Sequence, residues 1–92
     1  MKTWQVLLIG EGFTVNGALC NCEISGFVNS ETVERAVEKA GSIARQNHPE
    51  LAQASGPFPR PVINAEDVVE LSPRFTYSVA IDEIDVNWIT EH

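Results

Sequence analysis

The dipeptide Asn16-Gly17 stands between two apolar-rich runs, Trp4 to Val15 and Ala18 to Val28. A two-residue type I′ turn needs positive φ at both central residues, and Asn-Gly supplies it at low steric cost. The chain is therefore expected to open with an antiparallel hairpin. Counting back from the turn pairs Val15 with Ala18, Phe13 with Cys20, Glu11 with Cys22 and Ile9 with Ile24. Strand side chains alternate between faces. This register puts Ile9, Phe13, Cys20, Cys22 and Ile24 on one face and Trp4, Val6, Leu8 and Phe27 on the other. Gly10-Glu11-Gly12 interrupts the first strand and signals a bulge, beyond which the pairing shifts.

A helix is predicted from about Glu31 to Asn47. Asn29-Ser30 offers N-cap chemistry, and Glu31 and Glu34 suit the positive end of a helix dipole. Val33, Ala36, Val37, Ala40 and Ala44 recur at helical spacing, widened by Ile43, while Glu34, Arg35, Glu38, Lys39, Ser42, Arg45 and Gln46 form the polar side. His48-Pro49 ends it, because the residue before proline avoids the helical region. From Pro49 to Pro61 the chain reads as a connection, with a helical turn over Glu50 to Ala54 and an extended stretch through Pro57, Pro59 and Pro61.

Two more strands are expected after it. Val62 to Leu71 is rich in β-branched residues, with Ile63, Ala65, Val69 and Leu71 facing in and Asp67 breaking the phase. A short helix capped by Asn64 is the rival. Phe75, Tyr77, Val79 and Ile81 alternate, and the phase then switches to Ile84, Val86 and Trp88, as a bulge near Asp82-Glu83 would produce. The fold class is α+β: an antiparallel ββαββ sheet of about four strands with one helix on one face, a single domain over residues 1–92. The run Gly26-Phe27-Val28-Asn29-Ser30 into an Ala- and Glu-rich helix resembles the strand-to-helix junctions of small ferredoxin-like modules. That likeness is one of fold and implies no function.

Charge narrows the choice of function. Thirteen acidic against six basic residues give a formal charge of −7, which offers a phosphate backbone or an anionic membrane little to bind. No run is long enough to span a membrane, and Val6 to Ile9 is too short for the core of a signal peptide, so a cytoplasmic location is expected. Cys20 and Cys22, the only cysteines, point the same way in a strand, in the company of Phe13 and Ile24. They read as small apolar side chains, reduced, and poorly placed for a mutual disulfide. Their spacing is not that of a zinc site, and the only histidines are His48 and His92.

Asp82, Glu83 and Asp85 are the other candidates for chemistry, either as acid–base or cation-binding carboxylates or as charges guarding a sheet edge. No nucleophile elbow and no complete phosphate-binding loop is present. No catalytic, cofactor or metal residue is therefore assigned. The expectation is a small acidic, non-catalytic interaction module, regulatory, accessory or inhibitory in type. It would form a homodimer or bind a protein partner, basic in character, through Trp4, Val6, Leu8 and Phe27 with Trp88 contributing. The alternative is a small metal-binding or redox protein, or an enzyme, using Cys20, Cys22 and the Asp82–Asp85 cluster.

Overall fold

A computed structural model describes residues 2–15, 18–51 and 62–90. The elements are β1 (Lys2–Val15), β2 (Ala18–Ser30), α1 (Val33–Asn47), β3 (Val62–Glu70) and β4 (Ile84–Thr90), with 3₁₀ turns at Pro49–Leu51 and Pro73–Ser78. The four strands form one antiparallel sheet in the order β3-β1-β2-β4, and α1 packs across one face. The α+β class and the number of strands are as the sequence predicts. Fourteen residues at about 3.3 Å each make β1 roughly 46 Å long, which matches the longest dimension of the molecule, 44 Å.

The hairpin pairs Val15 with Ala18 and Phe13 with Cys20, as counted from the Asn16-Gly17 turn, which itself lies outside the described residues. The register then shifts between Gly10 and Phe13. Glu11 and Gly12 together face Asn21, and Gly12 takes φ 82°, a left-handed value that glycine adopts without a Cβ clash. Beyond the bulge Gly10 pairs with Cys22 and Leu8 with Ile24.

One extra residue reverses the faces of everything N-terminal to it. The structure thus corrects the expected face of Trp4, Val6 and Leu8: they share the helix side with Phe13, Cys20, Cys22, Ile24 and Val28. Val6 and Leu8 are each 1% exposed and belong to the core, while Ile9 moves to the opposite face. Trp4 packs against that core and donates from Nε1 to the Ser30 carbonyl at 3.1 Å.

The helix begins two residues later than predicted. Lys2 still pairs with Ser30 in the ladder, so Asn29 and Ser30 belong to β2 and cannot cap. Thr32 is the N-cap, its Oγ1 accepting from the Arg35 N–H at 3.2 Å, and Glu31 precedes the helix. Ala36, Ala40, Gly41 and Ala44 are buried against the sheet. Their small side chains let the helix lie close to Val6, Leu8, Ile24 and Val28. The His48 N–H closes the last turn on the Ala44 carbonyl, and Leu51, 3% exposed, completes that end of the core. Of the connection from Pro49 to Pro61, the part from 52 onward lies outside the described residues.

β3 is a strand, not the short helix. A second bulge, at Glu66, sits between the pairs Leu7–Asp67 and Leu8–Ala65. It sends Val68 rather than Val69 to the helix side, which corrects the expected inward position of Val69, 46% exposed. Phe75 to Ile81 is not a strand. After Ser72-Pro73 the chain coils through a 3₁₀ turn, and only Ile81 bridges to the sheet, at Phe27. β4 then pairs with β2 over seven continuous residues; Ile84, Val86 and Trp88 share one phase as predicted, and that phase faces the helix.

Candidate functional site

The sequence suggests three places for function: the cysteines, the acidic run after Ile81 and an apolar sheet face.

Cys20 and Cys22 are thiols not joined in a disulfide, 6% and 0% exposed, inside the core. Burial pushes the Cys22 thiol above its ordinary value of 9.0, with a smaller opposing influence from a backbone hydrogen bond to Gly10. A thiol held protonated in apolar surroundings is a poor nucleophile and a poor metal ligand. Cys22 pairs with Trp88, whose indole meets the Phe13 ring edge to face at 5.9 Å. The two cysteines are therefore part of the packing.

The acidic run is divided rather than gathered. Asp82 takes φ 63° at the turn into β4 and pairs with Lys39 Nζ at 3.2 Å. Lys39 also donates to the Asn29 carbonyl at 3.0 Å, so the turn, the helix and the end of β2 are tied through one ammonium. Glu83 and Asp85 lie on the other side of the sheet from the cysteines, bordering a shallow depression of 440 Å³ with Leu7, Phe27 and Ala80. Cys22 and Asp85 pair with positions three residues apart on neighbouring strands and face opposite ways. The structure does not bring the two groups together, and among the described residues no three His, Cys, Asp or Glu side chains are placed to share a metal ion.

The third feature is the sheet face away from the helix. Its rows follow from the three registers. Val69, Gln5 and Phe27 form one row; Asp67, Leu7, Ser25 and Asp85 the next; Asn64, Ile9, Glu23 and Asn87 the third. Val62, Glu11 and Ile89 lie beyond. Four of the six large exposed apolar side chains among the described residues, Leu19, Val62, Val69 and Ile89, lie on this face. Leu7, Ile9 and Phe27 are half-buried at its centre.

Its charges are of one sign. Glu11, Glu23, Asp67 and Asp85 occupy strand positions on this face, and no lysine or arginine does. Of the described basic residues, Lys2 lies over Trp4 on the helix side, Arg35, Lys39 and Arg45 are on α1, and Arg74 is in the 3₁₀ turn. One end of the face is closed. The Leu71 N–H donates to the Thr3 carbonyl, Leu71, Pro73 and Ile81 gather round Thr3 and Asn29, and Thr3 Oγ1 donates to Asn29 Oδ1 at 2.7 Å. No described element covers the remainder, from Gln5 to Glu11.

Of the surface residues expected from sequence, Phe27 is on this face. Val6 and Leu8 are in the core, and Trp4 and Trp88 are on the helix side. The sequence pattern does not place Leu7 and Ile9 here, because the bulge at Glu11-Gly12 decides which of two adjacent apolar residues faces out, nor Asp67, whose face depends on the bulge at Glu66.

Set against known protein families, curated proteins and solved structures, the chain matches none. No described helix is long and apolar enough to cross a membrane.

Proposed function

We propose that this protein is a small, non-catalytic interaction module that binds a basic protein partner on the open face of its sheet. One observation carries the reading: an apolar centre of Leu7, Ile9 and Phe27 is set among Glu11, Glu23, Asp67 and Asp85, with no lysine or arginine on that face among the described residues. An antiparallel sheet whose second face is solvated normally alternates apolar-in with polar-out. Here the outward positions include Leu7, Ile9, Leu19, Val62, Val69 and Ile89. Apolar side chains at the centre of a patch supply burial, and a charged rim selects the partner and speeds encounter. A partner presenting lysine or arginine around an apolar contact satisfies both. The chain's formal charge of −7 acts in the same direction at long range.

Stacking two copies through this face is the less favoured use. It would bring two sets of carboxylates to about 10 Å, the spacing of packed sheets, without a cation between them. The test is a photo-reactive amino acid placed at Ile9, and separately at Glu34 on the outer side of the helix, in cells that make the protein. A partner crosslinked from position 9 and not from 34, and lost when Asp67 and Asp85 are both changed to asparagine, supports the reading. Equal capture from both positions, or capture indifferent to the two carboxylates, refutes it.

A further inference from the structure

We infer that the outer edge of β4, which pairs with no described strand, pairs with β4 of a second copy, antiparallel, to make a continuous eight-stranded sheet. The two outer edges of the sheet are built differently. β3 carries a bulge at Glu66 and the charges of Glu66, Asp67 and Glu70, devices that keep an edge from recruiting another strand. β4 has no bulge, and Asp85 is its one charge. Ile84–Thr90 contains no proline, no lysine and no bulge, and its seven pairs with β2 run without interruption. Its apolar side chains are incompletely covered on both faces, with Val86 and Trp88 half-buried on the helix side and Ile89 44% exposed on the open side.

The strand is also complementary to itself. Asn87 is the middle residue of Ile84–Thr90, so a two-fold axis beside it pairs all seven positions. Val86 then faces Trp88 of the second copy, twice, covering the half-buried side chains on the helix side. On the open side Asn87 meets its own counterpart, and Asp85 meets Ile89. The two Asp85 carboxylates fall four positions apart, about 13 Å at the strand rise, beyond the screening length of about 8 Å at physiological salt. Charge therefore does not oppose this contact as it opposes face-to-face stacking. The axis is normal to the sheet, so both helices lie on one side and both acidic faces on the other. The pairing is independent of the basic partner, whose site it leaves open and presents twice.

Sedimentation of the whole chain is expected to show a mass twice that of one copy, falling to one on dilution. Asn87→Cys should form an intermolecular disulfide under mild oxidation many times faster than Asp85→Cys or Ile89→Cys, since only position 87 faces itself. Asn87→Lys, beside Glu23 within one copy, should keep the melting temperature and lose the dimer. A single-copy mass at every concentration overturns the inference. So do equal crosslinking from positions 85, 87 and 89 and an Asn87→Lys variant that still dimerises. Binding of a basic probe to the open face is read separately on the same samples.

Discussion

A methyl group placed on Gly10 would lie 2.6 Å from the Sγ of Cys22 and 2.8 Å from the Phe13 ring. Gly10 and Cys22 are cross-strand partners just past the bulge, and both neighbours are buried. Gly10→Ala is therefore an overpacking change in a strand. The gain from a stiffer unfolded chain, about 0.4–1 kcal/mol, is smaller than the cost of displacing a packed ring and thiol, about 1–3 kcal/mol. Urea unfolding should show a net loss. Cys22→Ala in the same chain should recover part of it, because it removes one of the two obstacles. If Gly10→Ala is neutral and Cys22→Ala changes nothing, the close approach is not real.

Cys22 should also make stability depend on alkaline pH. Its folded-state thiol titrates above 9.0 because burial disfavours the thiolate. The unfolded chain therefore gives up this proton first. The buried thiol's contribution is complete below about pH 9 and declines as pH rises through the folded value. Cys22→Ser should lower stability by about 1–2 kcal/mol at neutral pH, through a hydroxyl in an apolar site, and should remove this part of the alkaline slope. Thiol labelling should be slow in the folded protein and rapid in denaturant. Fast labelling of both cysteines at neutral pH would contradict the packing role.

These two tests bear on what the amino-acid order reveals and what it hides. The Asn16-Gly17 register held as far as Phe13–Cys20, and the helix held because Ala36, Ala40 and Ala44 repeat at one spacing and His48-Pro49 stops them. Gly10-Glu11-Gly12 announces a bulge but does not say which residue is the extra one. That choice decides whether Leu8 or Ile9 is core. The bulge at Glu66 is marked only by Asp67 falling out of phase. Phe75, Tyr77, Val79 and Ile81 alternate like a strand. The segment must instead carry the chain from β3 at one edge to β4 at the other, and no vacant sheet position lies along that path. The candidate face is thus written in the sequence only after two bulges and one crossover are known.

Lys39 separates a buried position from a structural surface one. Ala40→Asp places a carboxylate on a fully buried site without a partner, and should cost on the order of 3 kcal/mol or more. Lys39→Ala loses a partly exposed ion pair to Asp82, worth up to about 1 kcal/mol, and a hydrogen bond to Asn29 worth about as much. Asp82→Asn should lose only the ion pair and tolerate φ 63°, whereas Asp82→Ala adds the left-handed penalty of about 1 kcal/mol. Thermal melts ordered Asn, then Ala, then Ala40→Asp from mildest to worst would agree. Asp82→Ala as mild as Asp82→Asn would mean that the turn does not hold its left-handed form.

The open face makes a prediction that separates binding from folding. Leu7, flanked in its row by Asp67 and Ser25, with Asp85 beyond, is the residue to change because its side chain is outside the core. Leu7→Ser should shift unfolding little. If position 7 is a central anchor, affinity for the captured partner should fall by about 2 kcal/mol, roughly thirtyfold, with the loss mainly in the dissociation rate. Asp67→Asn with Asp85→Asn should act differently, slowing association and flattening its salt dependence while dissociation changes less. Surface plasmon resonance at low and high salt would distinguish the two. Should the carboxylate pair leave association and its salt dependence untouched, the partner is not basic. Should Leu7→Ser bind like the parent, the contact is not centred on this face.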